Sequence, residues 1–242
     1  MQIQELDFIL VPLGVLIPGI YHVWLLYTII RYPSRTVIGL NAQSRYQWVL
    51  SLMNDPLKNG ILGIQTIRNN MMASTLLATT AITLSSLIGV FASNDSIFEN
   101  NTPITDSIKR LSMSLCFLFA FLCNMQSIRY YAQASFLIST PALKGKKDLI
   151  EYVAKTLDRG SYAWSLGLRA FYVSIPLILW IYGPIPMFAC CCLTPFTLYF
   201  LDTTAKITRE LHSNSFKKDR GTHDVESVVE PDYHPLAGDN LA

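Results

Sequence analysis

Charge is what this sequence has least of. Only 15% of its 242 residues are Asp, Glu, Lys or Arg, against ~25% in an ordinary soluble domain. From Ala170 to Leu201 there is no Asp, Glu, Lys, Arg or His, with Arg169 before the run and Asp202 after it. Acids are missing from every apolar run, which argues against a proton-coupled carrier built on buried carboxylates. His22 is the only histidine in such a run, and one imidazole does not supply the two axial ligands of a membrane b-type haem. No GxGxxG or GxxxxGK(S/T) phosphate loop, GxSxG elbow or HExxH occurs. The chain therefore reads as a non-enzyme with no cofactor and no metal. The five cysteines, Cys116, Cys123 and the triplet 190–192, form no CxxC pair, which excludes a disulfide framework or a structural zinc site as the first reading. They read as small apolar packing residues, with a soft-metal or lipid-modified triplet as the alternative. A net charge of +2 is too small to point to nucleic acid.

What is present is long apolar runs. Eighteen or more such residues read as a membrane span, because ~20 helical residues cross the ~30 Å hydrocarbon layer. Four are expected, at about 8–30, 71–93, 111–135 and 170–201. The fold class is all-α: a polytopic, four-span helical bundle with amphipathic interfacial helices and a proline-broken fourth span. It occupies 1–205, and the polar 206–242 tail is expected to be disordered. The last run is too long for one straight span and too short for two. It holds Pro176, Pro184, Pro186 and Pro195, each of which removes a backbone donor and crowds the preceding turn. A full crossing, the favoured reading, puts the tail outside the cell. A break at Gly183, Pro184 and Pro186 returns the chain and leaves the tail inside.

The other runs carry candidate groups. The first is expected to kink near Pro18–Gly19, and its His22 is either a functional group at depth or a neutral imidazole bonded to a neighbour. The second places Ser74, Ala78, Ala81, Ser85 and Gly89 in one row and Thr75, Thr79, Thr83 and Ser86 in another. Small residues let helices approach closely in lipid, so this span is expected at the bundle centre. In the third, Gln126, Arg129, Tyr130 and Gln133 share a polar face, with Arg129 either snorkelling to the interface or binding an anionic headgroup or solute. Between runs, Tyr46, Trp48, Val49, Leu52 and Met53 form one apolar side. Leu149, Ile150, Val153, Ala154 and Leu157 form another, as in helices lying on an anionic leaflet. Asn94 and Asn100 begin N-x-(S/T) sequons.

Basic residues orient the chain. The 31–70 and 129–169 segments are rich in them, and the 94–110 segment is not. Both long segments are therefore expected in the cytoplasm, with the N-terminus exoplasmic. The membrane is expected to be the plasma membrane or a secretory endomembrane.

YHVWLLYTIIRYPSRTVIGLNAQSRYQWV, IQTIRNNMMASTLLATTAI, FLCNMQSIRYYAQASFLI and RGSYAWSLGLRAFYVSIPLILWIYGPIPMF resemble, in this order, the plant and bacterial membrane family catalogued as domain of unknown function 599. The resemblance covers about Ile9 to Asp202. It implies four spans and a plant source, supplies no activity, and draws attention to His22, Pro33, Gly39, Asn41, Arg45, Gln65, Arg68, Asn69, Arg129 and Arg169.

Two functions remain open. The favoured one is a non-catalytic scaffold, accessory or lipid- and partner-binding protein, its partners being anionic cytoplasmic-leaflet lipid and a second copy or another membrane protein. The alternative is an oligomeric small-solute or ion channel or carrier, with His22, Gln126, Arg129 and Gln133 as its polar lining.

Overall fold

Helix is the dominant secondary structure among the described residues of the computed structural model, which are 3–92, 103–139 and 146–203. In lipid a helix satisfies its backbone N–H and C=O groups within its own segment, which suits so uncharged a chain. Six helices follow one another: α1 Ile3–Arg31, α2 Val37–Asn54, α3 Pro56–Ala92, α4 Pro103–Ser139, α5 Lys146–Leu179 and α6 Pro184–Asp202. Five of them, all but α2, are long and apolar enough to cross a membrane. The expected tail and both sequons, Asn94 and Asn100, lie outside the described residues.

The expected fourth span, 170–201, is two helices. α5 ends at Leu179, the N–H groups of Ile181, Tyr182 and Gly183 bond three residues back, and α6 opens at Pro184. Gly183 sits at φ 134°, a conformation open to glycine because it lacks a Cβ. Pro184 follows at the first helical position, where its missing N–H has no intrahelical partner to lose. Pro176 and Pro195 are carried inside helices, and α1 runs on through Pro12 and Pro18. The Pro184–Pro186 pair stands at a break in the helix; Pro12, Pro18, Pro176 and Pro195 do not. α5 also begins far earlier than the apolar run, so Arg169 is an interior residue of a 34-residue helix.

Contacts between distant residues fix which ends of the helices meet. Asp7 near the start of α1 accepts a hydrogen bond from Trp180 Nε1 at 3.4 Å. The Lys109 ammonium, near the start of α4, lies 5.4 Å from the centroid of the same indole. The start of α1, the start of α4 and the 180–183 turn therefore share one end. At the other, Thr36 and Thr203 form an antiparallel backbone bridge. The chain leaving α6 thus lies beside the chain leaving α1, opposite to where a single fourth crossing would put it.

The amphipathic segments bury their apolar faces against protein. Val49 and Met53 of α2, Ile67 of α3, Tyr131 and Ala134 of α4, and Ile150, Val153, Ala154 and Leu157 of α5 make one core. Arg45 and Asp158 close it with an ion pair at 2.7 Å. Thr36 caps α2 by accepting from Gly39 N–H at 3.2 Å. A side chain at Gly39 would collide with the Pro33 carbonyl, so this corner requires glycine.

α3 uses its small-residue row against α4: Ser74, Ala78 and Ala81 are buried, with Ser74 and Ser127 at 3.2 Å and Ser85 and Ser114 at 2.9 Å. Its other row is exposed, and Thr75, Thr79, Thr83 and Ser86 each donate to the carbonyl four residues earlier. α3 packs chiefly on α4 and α2, so it sits at the edge of the bundle, and α4 and α5 form its middle. Close approach of α4 and α5 rests on two glycines. A Cβ at Gly167 would stand 2.6 Å from Asn124 Nδ2, and one at Gly160 would stand 3.2 Å from the Tyr131 ring.

Candidate functional site

The fold-back at Gly183 returns α6 along α5 and beside α1, and it brings the two charges that flank the longest uncharged run together. Arg169 Nη2 donates to Asp202 Oδ1 at 2.8 Å. Tyr21 of α1 donates its hydroxyl to Asp202 Oδ2 at 2.7 Å. Arg169 stands roughly 15 Å from the end of α5 and Asp202 roughly 27 Å from the start of α6, at ~1.5 Å per residue. The 180–183 turn lengthens the α5 side, and arginine is long enough to reach along the helix. Both side chains are close to 90% buried. A charge in such a place is tolerable only when paired and hydrogen-bonded. Asp202, with two donors on its two oxygens, and Arg169 make a net-neutral unit that ties α1, α5 and α6 together.

Beside this unit lies a cavity of about 360 Å³, walled by α1, α4, α5 and α6. Val15, Pro18, Gly19 and His22 come from α1; Cys116 and Phe119 from α4; Leu166, Arg169, Val173 and Pro176 from α5; Met187 and Cys191 from α6. The prolines and Gly19 are expected as kinks from sequence; in the fold they are wall. A Cβ added at Gly19 would meet nothing within 4 Å, so the space in front of this residue is open. The volume is within the range of small-molecule pockets, which are mostly apolar with a few placed polar groups.

His22 Nδ1 lies 2.6 Å from the Pro18 carbonyl. A carbonyl only accepts, so Nδ1 carries the hydrogen, and in the neutral ring Nε2 is left as an acceptor. That Nε2 is buried and has no partner, and neither does Arg169 Nη1. The ring also stands edge-on to Tyr21, centroids 5.5 Å apart.

Of the other residues proposed from sequence, Gln126, Arg129 and Gln133 are exposed on the outer face of α4. Gln133 donates to the Tyr152 hydroxyl at 2.9 Å. None of the three lines the cavity with His22. Gly183, Pro184 and Pro186 form the turn and the first turn of α6, at the far end from Asp202. The residues that sequence reading missed are Tyr21 and Asp202; the signal available was a lone acid closing an apolar run directly opposite a lone arginine. Among the described residues, no group of three His, Cys, Asp or Glu side chains is placed to hold a metal ion.

A second hollow, about 320 Å³, lies at the other end of the bundle near the Arg45–Asp158 pair, with Asn41, Ser44, Trp48, Thr66 and Asn70 around it.

Residues 9–207 match a family model described as "Protein of unknown function, DUF599". No curated protein matches the chain, and no solved structure does.

Proposed function

Because the chain belongs to the DUF599 family, whose description assigns no function, we propose one from the molecule's own geometry: a non-catalytic, multi-pass membrane protein that holds a lipid molecule in the cavity among α1, α4, α5 and α6. One observation carries this. The cavity is walled almost entirely by apolar side chains, while the ion pair at its margin is already matched within the protein. A recess of this kind favours a hydrocarbon chain over water or ions, since an ion entering it would lose its hydration for little return.

In this reading α1, α3, α4, α5 and α6 each cross the bilayer. The N-terminus lies outside the cytoplasm, and α2 and the first half of α5, within the two base-rich segments of the chain, lie inside it near anionic leaflet lipid. A second copy or another membrane protein would cover the exposed apolar faces. Transport has less in its favour. Gln126, Arg129 and Gln133 are exposed and do not share the cavity with His22, and Thr75, Thr79 and Thr83 of α3 bond their own helix.

The test is native mass spectrometry of the protein released from nanodiscs, beside solute- and ion-flux assays in liposomes. The expected result is a stoichiometric bound lipid, lost when Gly19→Phe fills the cavity, with no flux. Flux in liposomes without any retained lipid would overturn the reading.

A further inference from the structure

The cavity that the lipid-holding reading depends on also specifies a head group. Two buried polar atoms of its wall residues lack partners: Arg169 Nη1, which is only a donor, and His22 Nε2, an acceptor in the neutral ring because Nδ1 donates to Pro18. They are linked through the structure, since His22 packs edge-on to Tyr21, Tyr21 bonds Asp202, and Asp202 bonds Arg169. A buried donor or acceptor left unmatched is costly, so a group that meets both is held there strongly.

The charge balance narrows that group. Asp202 already neutralises Arg169. A carboxylate or phosphate would therefore add a second, uncompensated negative charge in an apolar recess beside an existing carboxylate. An aliphatic amine, protonated at neutral pH, would bring only donors and a second positive charge against Arg169. A hydroxyl meets every demand: its oxygen accepts from Arg169 Nη1, its hydrogen goes to His22 Nε2, and it carries no charge. The remaining wall, represented by Val15, Phe119, Leu166 and Val173, is hydrocarbon.

We infer that the cavity binds a neutral lipid alcohol, a molecule with one hydroxyl on an apolar body, with the hydroxyl set between Arg169 and His22. Both atoms lie beneath the cavity surface, so binding includes displacement of the side chains that cover them, with the His22–Pro18 and Arg169–Asp202 contacts kept. A long-chain alcohol, a monohydroxy sterol and a diacylglycerol all present this chemistry.

The experiment uses the full chain in nanodiscs and photoactivatable probes that differ only at the head: a straight-chain alcohol, the fatty acid of the same length, and its methyl ester, with a diazirine sterol as a further arm. The inference expects the alcohol or the sterol to label peptides of α1 and α5. The acid and the ester should label at least about tenfold less, the cost of one unmatched buried bond. Preference between the two alcohols identifies the body. His22→Phe should remove the preference for alcohol over ester while leaving apolar labelling and the thermal melt in place. Gly19→Phe should remove labelling by every probe. Equal labelling by acid, ester and alcohol, or an unchanged preference in His22→Phe, would overturn the hydroxyl inference and leave the lipid-holding reading standing. Labelling that survives Gly19→Phe would overturn both.

Discussion

Arg169 and Asp202, separated by the longest uncharged stretch of the chain, meet at 2.8 Å with the Tyr21 hydroxyl on the second carboxylate oxygen. The relationship exists only because the chain reverses between Leu179 and Pro184. It converts two boundary charges into an internal tie among three helices.

The tie should behave as a unit. Arg169→Met or Asp202→Asn leaves one buried charge without its partner, a loss of about 3–5 kcal/mol for such pairs. The joint replacement Arg169→Met with Asp202→Leu should regain most of that, since neither charge then remains. Thermal melts in one detergent measure all three proteins. A joint variant as unstable as the worse single would show that the two residues act separately.

The reversal has a topological consequence. If α1, α3, α4, α5 and α6 each cross, as proposed, the crossings are odd in number, and epitopes placed ahead of Ile3 and directly after Thr203 should be reached by protease from opposite faces of sealed vesicles. Access from the same face would refute the five-helix path.

Glycine substitutions should sort by what each position meets. Gly167→Val pushes a side chain into Asn124 and the Ala120 carbonyl and should cost about 1–3 kcal/mol, as overpacking does. Gly89→Val meets nothing within 4 Å and should leave the melting temperature unmoved. Equal effects would mean that α4 and α5 are not in close register at Gly167.

Hydroxyls on α3 and α4 should differ by direction. Ser127 lies between Ser74 and the Gly160 carbonyl, to which it donates at 2.9 Å. Interhelical bonds in membranes are worth about 0.6 kcal/mol each, so Ser127→Ala should lose roughly 1 kcal/mol. Thr79→Ala removes a bond within its own helix and should change far less. Denaturation in mixed micelles reads the difference, and a Thr79 loss as large as that of Ser127 would contradict the assignment of faces.

Much of the fold is legible in the sequence. The helices α1, α3 and α4 follow from uncharged runs, and the buried sides of α2 and α5 follow from Val49, Leu52 and Met53 and from Ile150, Val153 and Leu157 at helical spacing. The site is less so, for definite reasons. A charge at the edge of an apolar run reads as the interface, so Arg169 marks a boundary until Asp202 is seen to neutralise it. Helical period places Gln126, Arg129 and Gln133 on one face, but period alone does not say whether that face looks inward. On α3 the small row and the hydroxyl row are equally good packing surfaces by composition. α4 takes the small row, and the hydroxyls, satisfied by their own carbonyls, are left outside. Pro18 and Pro176 lack an N–H, which predicts a bend but not a cavity wall. That role depends on α6 lying where only the turn at Gly183 can put it.

The bridge between Thr36 and Thr203 holds the chain that follows α1 beside the chain that leaves α6. Without α6 the side of α1 that it covers is bare and Arg169 lacks its Asp202 counter-ion, so the helices that precede α6 in the chain are incomplete until it has been made. Any stop codon before α6 should therefore yield not a smaller working protein but an orphaned bundle that quality control removes.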